Sequence, residues 1–126
     1  MRILVAEDDE IHREIICEIL SQEGHSVISV DNGEDLIKFA LEDKPQLIIT
    51  DIRMPKVSGD AVVAMIKEHK ELSDIPVIVT TGISPQQVWF LGIPQDVMVL
   101  FKPIEPQKLK EVISKYAKIL LKNDSL

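Results

Sequence analysis

The run Arg2-Ile3-Leu4-Val5-Ala6 leads straight into four acids, Glu7-Asp8-Asp9-Glu10, and then into Ile11, Ile15, Ile16, Ile19 and Leu20 at helical spacing before Gly24. A short unbroken apolar run bounded by charge reads as a buried strand, and apolar residues three and four apart read as one face of a helix. A strand over 2–6 and a helix over about 9–23 are expected, with Gly24 at the helix's C-terminal cap. The acids of this first unit stand where the strand ends.

The same unit recurs along the chain. Residues 25–30 read as a second strand, the turn Asp31-Asn32-Gly33 offers two residues that tolerate positive φ, and residues 34–43 carry a helical stripe stopped by Lys44-Pro45. Residues 46–50 form a third strand ending on Asp51, and the third helix, about 60–70, turns Val62, Val63 and Ile66 inward. A fourth strand over 75–80 exits through Thr81-Gly82, and Ser84-Pro85 supplies an N-cap and a first-turn proline for a short fourth helix. Residues 97–101 make the fifth strand. A last helix over 105–121 is expected to bury Leu109, Val112, Ile113, Tyr116, Ile119 and Leu120, leaving Asn123-Asp124-Ser125-Leu126 beyond it.

Five strands alternating with five helices predict an α/β doubly wound (βα)5 fold with a parallel sheet covered on both faces. Its common flavodoxin-like strand order is 2-1-3-4-5, with ligands bound beyond the carboxyl ends of the strands at the switch point between strands 1 and 3. Size and composition agree: 126 residues suit one domain, and 4% aromatic residues against 45% hydrophobic ones mean a core of Ile, Val and Leu. A net charge of −7 argues against nucleic acid as a direct partner, and no apolar run reaches the ~18 residues of a membrane span, so the expected location is cytoplasmic. Cys17 is the sole cysteine and His12, His25 and His69 are scattered, which excludes intramolecular disulfides and thiolate-rich zinc sites and assigns all four to structural or surface roles.

The switch-point rule brings Glu7, Asp8 and Asp9, then Asp51, Thr80, Thr81 and Lys102, to one edge of the sheet. Carboxylates gathered in one cleft raise one another's pKa unless a hard cation neutralises them, and Mg²⁺, with Mn²⁺ as the alternative ion, suits such oxygen ligands. Such a site beside a lysine and a threonine is fitted to hold a phosphoryl group, and Asp51, at the end of the central strand, is the natural nucleophile. The plainer reading is that strand-end acids only cap helices and that Lys102 salt-bridges to one of them; its capping half suits Asp9 taken alone.

These residues resemble a known family. Ile3-Leu4-Val5-Ala6-Glu7-Asp8-Asp9, Asp51-Ile52-Arg53-Met54-Pro55 with Ser58-Gly59, Pro76-Val77-Ile78-Val79-Thr80-Thr81-Gly82 and Lys102-Pro103 look like the receiver domain of bacterial two-component response regulators, in the single-domain, chemotaxis-receiver-like form. The resemblance covers nearly the whole chain, and one receiver domain over 1–126 is expected. It implies a phosphorylated Asp51, a switch hydroxyl at Thr81 followed by the small Gly82, a phosphate-binding Lys102, and a metal held by Asp8, Asp51 and the Arg53 backbone carbonyl, with Glu7 acting through water. It further implies a phosphoacceptor that assists its own phosphorylation and dephosphorylation rather than an enzyme. The expected partners are a sensor histidine kinase or histidine phosphotransfer protein and a downstream protein target, and the expected state is a monomer or weak dimer. No output module fits after the last helix, and a longer parent regulator or hybrid kinase stays open. The Lys102-Pro103 peptide is often cis in this family.

The pattern departs from the family at Val99, where an aromatic switch residue is usual; Phe101 lies on the same face but two residues on. This keeps alive an alternative, a pseudo-receiver that signals by binding without phosphorylation. Arg53 and Ile83, each two residues after a reactive group, flank the site entrance; Arg53 could shield the phosphoryl group or pair with Glu7, and the apolar Ile83 cannot orient a water, so slow self-dephosphorylation is expected. An aspartyl-phosphate phosphatase would want an Asp where Arg53 stands, and a flavin carrier would not place Glu7-Asp8-Asp9-Glu10 against a phosphate. Trp89 and Phe90 are expected to pack at least one ring into the core, the other reading being exposed docking anchors.

Overall fold

The computed structural model describes residues 1–124. Its elements alternate as β1 (Arg2–Ala6), α1 (Glu10–Gln22), β2 (Ser26–Val30), α2 (Gly33–Asp43), β3 (Leu47–Asp51), α3 (Gly59–Glu68), β4 (Val77–Thr81), α4 (Pro85–Phe90), β5 (Met98–Phe101) and α5 (Pro106–Asp124). The strands pair in parallel in the order β2-β1-β3-β4-β5, the flavodoxin-like arrangement.

Alternation along each strand divides the core in two. On one face Leu4, Ala6, Ile48, Val77 and Val79 pack with Leu36 and Ala40 of α2 and Val62, Val63 and Ile66 of α3. On the other, Ile3, Val5, Leu47, Ile49 and Ile78 pack with Ile16 and Leu20 of α1 and Leu109, Val112 and Ile113 of α5. This two-sided burial explains the unbroken apolar strands; each fully buried Ile or Leu is worth about 1.5–3 kcal/mol over an exposed one.

Several expectations are corrected. In the 31–33 turn neither residue uses positive φ: Asn32 is extended at φ −156° and caps α2 through the Asp35 N–H. Gly33 is needed for space instead, since a Cβ there would collide with the Val57 backbone. Ile11 and Ile15 are exposed, because their row is offset by one residue, about 100° around the helix, from the Ile16/Leu20 stripe that meets the sheet. Ile119 is exposed as well: nineteen residues of helix extend about 28 Å, whereas a five-residue strand supports about 16 Å of it. Asn123 and Asp124 are helical, while Ser125 and Leu126 lie outside the described residues. Trp89 and Phe90 both project into solvent, 74% and 79% exposed, ring edge against ring face at 5.4 Å.

Candidate functional site

β1 and β3 lie side by side, and their carboxyl ends deliver Glu7, Asp8 and Asp51 to one place. One oxygen from each of these three carboxylates lies within 4.8 Å of the others, with Glu7 and Asp51 buried and Asp8 exposed. Lys102, just past β5, reaches over the sheet edge, where its Nζ sits 2.5 Å from Glu7 Oε1 and 3.0 Å from Asp51 Oδ2. The Lys102-Pro103 peptide is cis, and the Lys102 N–H donates to the Thr81 carbonyl at 2.7 Å.

Asp51 is held from behind. Its Oδ1 accepts the Ile52 N–H at 2.8 Å, and Gly59, opening α3, donates its N–H to the Ile52 carbonyl at 2.6 Å. A Cβ on Gly59 would overlap the Asp51 carbonyl oxygen and come within 2.7 Å of Ile52 Cα, so a glycine at 59 is a steric requirement for backing α3 onto the loop that follows Asp51. Asp9 does cap α1, accepting the His12 N–H at 3.1 Å.

The electrostatics of this cluster are strained without a cation. Burial first, then the adjacent Asp51 carboxylate, push the Glu7 carboxyl up to about 7, against the pull of Lys102. Burial alone would lower the Lys102 ammonium, but its contacts with Glu7 and Asp51 leave it raised on balance. Glu7 Oε2 is buried with no hydrogen-bond partner. Lys102 satisfies one oxygen of Glu7 and leaves the other without a partner, a deficit that costs about 1–3 kcal/mol.

In front of Asp51 opens a cavity of about 290 Å³ lined by Asp51, Arg53, Thr81, Gly82, Ile83, Gln87 and Lys102. Thr81 ends β4 and is buried, its Oγ1 accepting the Ile83 N–H at 3.1 Å; Thr80, also buried, stands opposite Asp51 in the ladder and does not line the cavity. Arg53 is exposed at the entrance, and Glu7 pairs with Lys102 and His12 rather than with Arg53. Val99 is half-buried against the α2–α3 side of the core, opposite Val79, and Phe101 lies opposite Thr81, 42% exposed.

Sequence reasoning missed His12, whose Nδ1 lies 3.0 Å from Asp9 Oδ2 and 3.7 Å from Glu7 Oε1 at the rim of the site. It missed Gln87 too. His12 follows the N-cap acid by three residues, so the capping motif was the available signal for it.

The sequence profile of the response regulator receiver domain matches residues 3–114. Over 82 residues, 65% of this chain and 67% of the relative, the sequence is 33% identical to the polar-differentiation response regulator DivK of Brucella anthropi. The N-terminal domain of an uncharacterized protein from Wolinella succinogenes superposes with a TM-score of 0.89 at 34% identity, covering 98% of both chains. The signal receiver domain of a signal transduction histidine kinase from Syntrophus aciditrophicus superposes with a TM-score of 0.83 at 27% identity, covering 91% of this chain and 88% of that one. With its fold, its acidic strand ends and these likenesses in agreement, the chain belongs to the receiver domain family of two-component response regulators.

Proposed function

We propose that Asp51 accepts a phosphoryl group from the phosphohistidine of a sensor histidine kinase or histidine phosphotransfer protein. The observation that carries this reading is the placement of Lys102 Nζ between Glu7 and Asp51 at the mouth of an open cavity, beside a buried carboxylate oxygen that lacks a partner. In the transfer a carboxylate oxygen of Asp51 attacks phosphorus, a P–O bond forms, and the P–N bond to the donor imidazole breaks. Lys102 then binds a phosphoryl oxygen, and the Thr81 hydroxyl, now held by the Ile83 N–H, turns to another.

The acidic cluster fits a divalent cation: Glu7 Oε2 is unsatisfied, three carboxylates converge, and their donors are all hard oxygens. Asp8, Asp51 and the Arg53 carbonyl would hold Mg²⁺, or Mn²⁺ in its place, with Glu7 behind a water. When bound, the ion would supply charge neutralisation for the incoming phosphoryl group. The chain serves as substrate of its own phosphorylation rather than as an enzyme turning over. Arg53 at the entrance and the apolar Ile83 leave no side chain there to activate water, which favours slow hydrolysis. The message passes to a downstream protein through the face of α4, β5 and α5, from a monomer or weak dimer in the cytoplasm. Val99, a small half-buried side chain packed against the core, has no ring to swing inward, and it is the one feature favouring the pseudo-receiver alternative.

Incubation with acetyl phosphate and Mg²⁺, followed by intact mass, tests the reading. One phosphoryl adduct is expected in the wild type, none with chelator and none in Asp51→Asn. An unmodified wild type would move the assignment to the phosphorylation-independent module.

A further inference from the structure

We propose that the Gln87 side-chain amide is a phosphoryl-binding group that latches α4 to the modified Asp51, an inference that rests on the phosphoacceptor reading above. Gln87 lines the cavity in front of Asp51, and it also lines the adjoining groove of about 370 Å³ that runs to Phe90 and Leu91. It is the one α4 residue common to both.

Its orientation follows from the helix cap. Gln87 Oε1 accepts the Ser84 backbone N–H at 3.0 Å and the Ser84 hydroxyl at 3.3 Å, while Ser84 Oγ accepts the Gln87 backbone N–H at 3.2 Å. A backbone N–H demands an acceptor, so the cap takes the oxygen end of the amide. Both Nε2 hydrogens are left over, and among the described residues nothing accepts them.

That remainder determines what the amide can do. A phosphoryl group on Asp51 brings three strong acceptor oxygens into the cavity. Lys102, Thr81 and the divalent cation of the proposed site each take one of them, every oxygen keeps further lone pairs, and Gln87 Nε2 is the uncommitted neutral donor on the α4 wall. The same amide is a poor helper for hydrolysis. An attacking water needs an acceptor for its proton while its oxygen bonds to phosphorus and the P–O bond to Asp51 breaks, and the only acceptor atom of Gln87 is already held by the cap. Gln87 therefore prolongs the acyl phosphate rather than clearing it.

The latch also supplies a route for the signal that does not use position 99. No α4 residue is buried, so little packing fixes the helix, and a bond from Gln87 to the phosphoryl group would tie its first turn to the chemistry. Trp89 and Phe90, two and three residues on, would reorient with it.

Three variants separate the amide from the cap and from charge. Gln87→Glu keeps an acceptor at the capping position but removes both donors; Ser84→Ala removes the side-chain cap but keeps the amide; Gln86→Glu adds the same charge one residue away, outside the cavity. Each is phosphorylated with acetyl phosphate and Mg²⁺, the donor is removed, and loss of the adduct is followed by intact mass alongside Trp89 fluorescence. The proposal expects adduct loss about tenfold faster in Gln87→Glu, a smaller acceleration in Ser84→Ala and a change under twofold in Gln86→Glu. The Trp89 response to phosphorylation should disappear in Gln87→Glu. Wild-type lifetime and fluorescence in Gln87→Glu overturn the latch and leave the phosphoacceptor intact. Equal acceleration in Gln87→Glu and Gln86→Glu reduces the effect to charge and overturns it too. A wild type that takes no adduct overturns both readings.

Discussion

The end of β3 and the helix α4 line one cavity and are built in opposite ways. Asp51 is buried, backed by Gly59 with no room for a Cβ, and tied to Lys102 and the Ile52 N–H. α4 is six residues long, buries none of them and presents two solvated rings. Reactive groups must keep positions good to fractions of an ångström, whereas a reporting surface must be cheap to move. Under the proposed function chemistry belongs to the first region and readout to the second, and the contrast can be broken or sharpened by experiment.

The largest effect belongs to the rigid region. Gly59→Val should cost about 3 kcal/mol or more, because the clash is with the backbone beneath Asp51 and no side chain can yield. Chemical denaturation measures it, and a variant within 1 kcal/mol of wild type would show that α3 is not braced as described. Next, Lys102→Ala leaves Glu7 and Asp51 as facing carboxylates with no protein cation between them. A loss of about 2–3 kcal/mol is expected without metal, read as a lower Tm, with most of it recovered on adding Mg²⁺.

The raised Glu7 pKa gives a pH test of the same cluster. Between pH 4.5 and about 7 the folded protein keeps a proton that the unfolded chain has released, so stability must fall as pH rises through this window. The Glu7 contribution is on the order of 3 kcal/mol. A metal-free Tm profile should show the decline, and Glu7→Gln should flatten it; an unchanged slope in Glu7→Gln would place the titration elsewhere. The smallest effect belongs to α4. Trp89→Ala should alter stability by no more than about 0.5 kcal/mol, since the ring is solvated and makes one aromatic contact. A much larger loss would mean that α4 is packed more firmly than its exposure indicates.

Much of this was legible in the sequence, and the limits have physical causes. Strands were readable because burial on both faces leaves continuous apolar runs, and the site because acids and a lysine stand at strand ends that a parallel sheet must bring together. Ile11, Ile15 and Ile119 were misplaced because spacing gives a helix its apolar face but not the width or length of sheet beneath it. Trp89 and Phe90 were misplaced for a related reason: hydrophobicity alone cannot say that only Val88 of this short helix meets the core and that both rings stand on its solvated side. Gln87 was invisible because its interest lies in which end of an amide is already occupied, and that appears only when Ser84 is seen to hold the oxygen.

The central claim is that Asp51, of the clustered carboxylates, carries the phosphoryl group. An acyl phosphate can be trapped by borohydride, which reduces the modified carboxyl to an alcohol and marks its position in the chain. After acetyl phosphate, Mg²⁺ and borohydride, peptide mapping should find the reduced side chain at residue 51 alone. Reduction at Glu7 or Asp8, or none at residue 51 in protein that has gained the phosphoryl mass, would contradict the account.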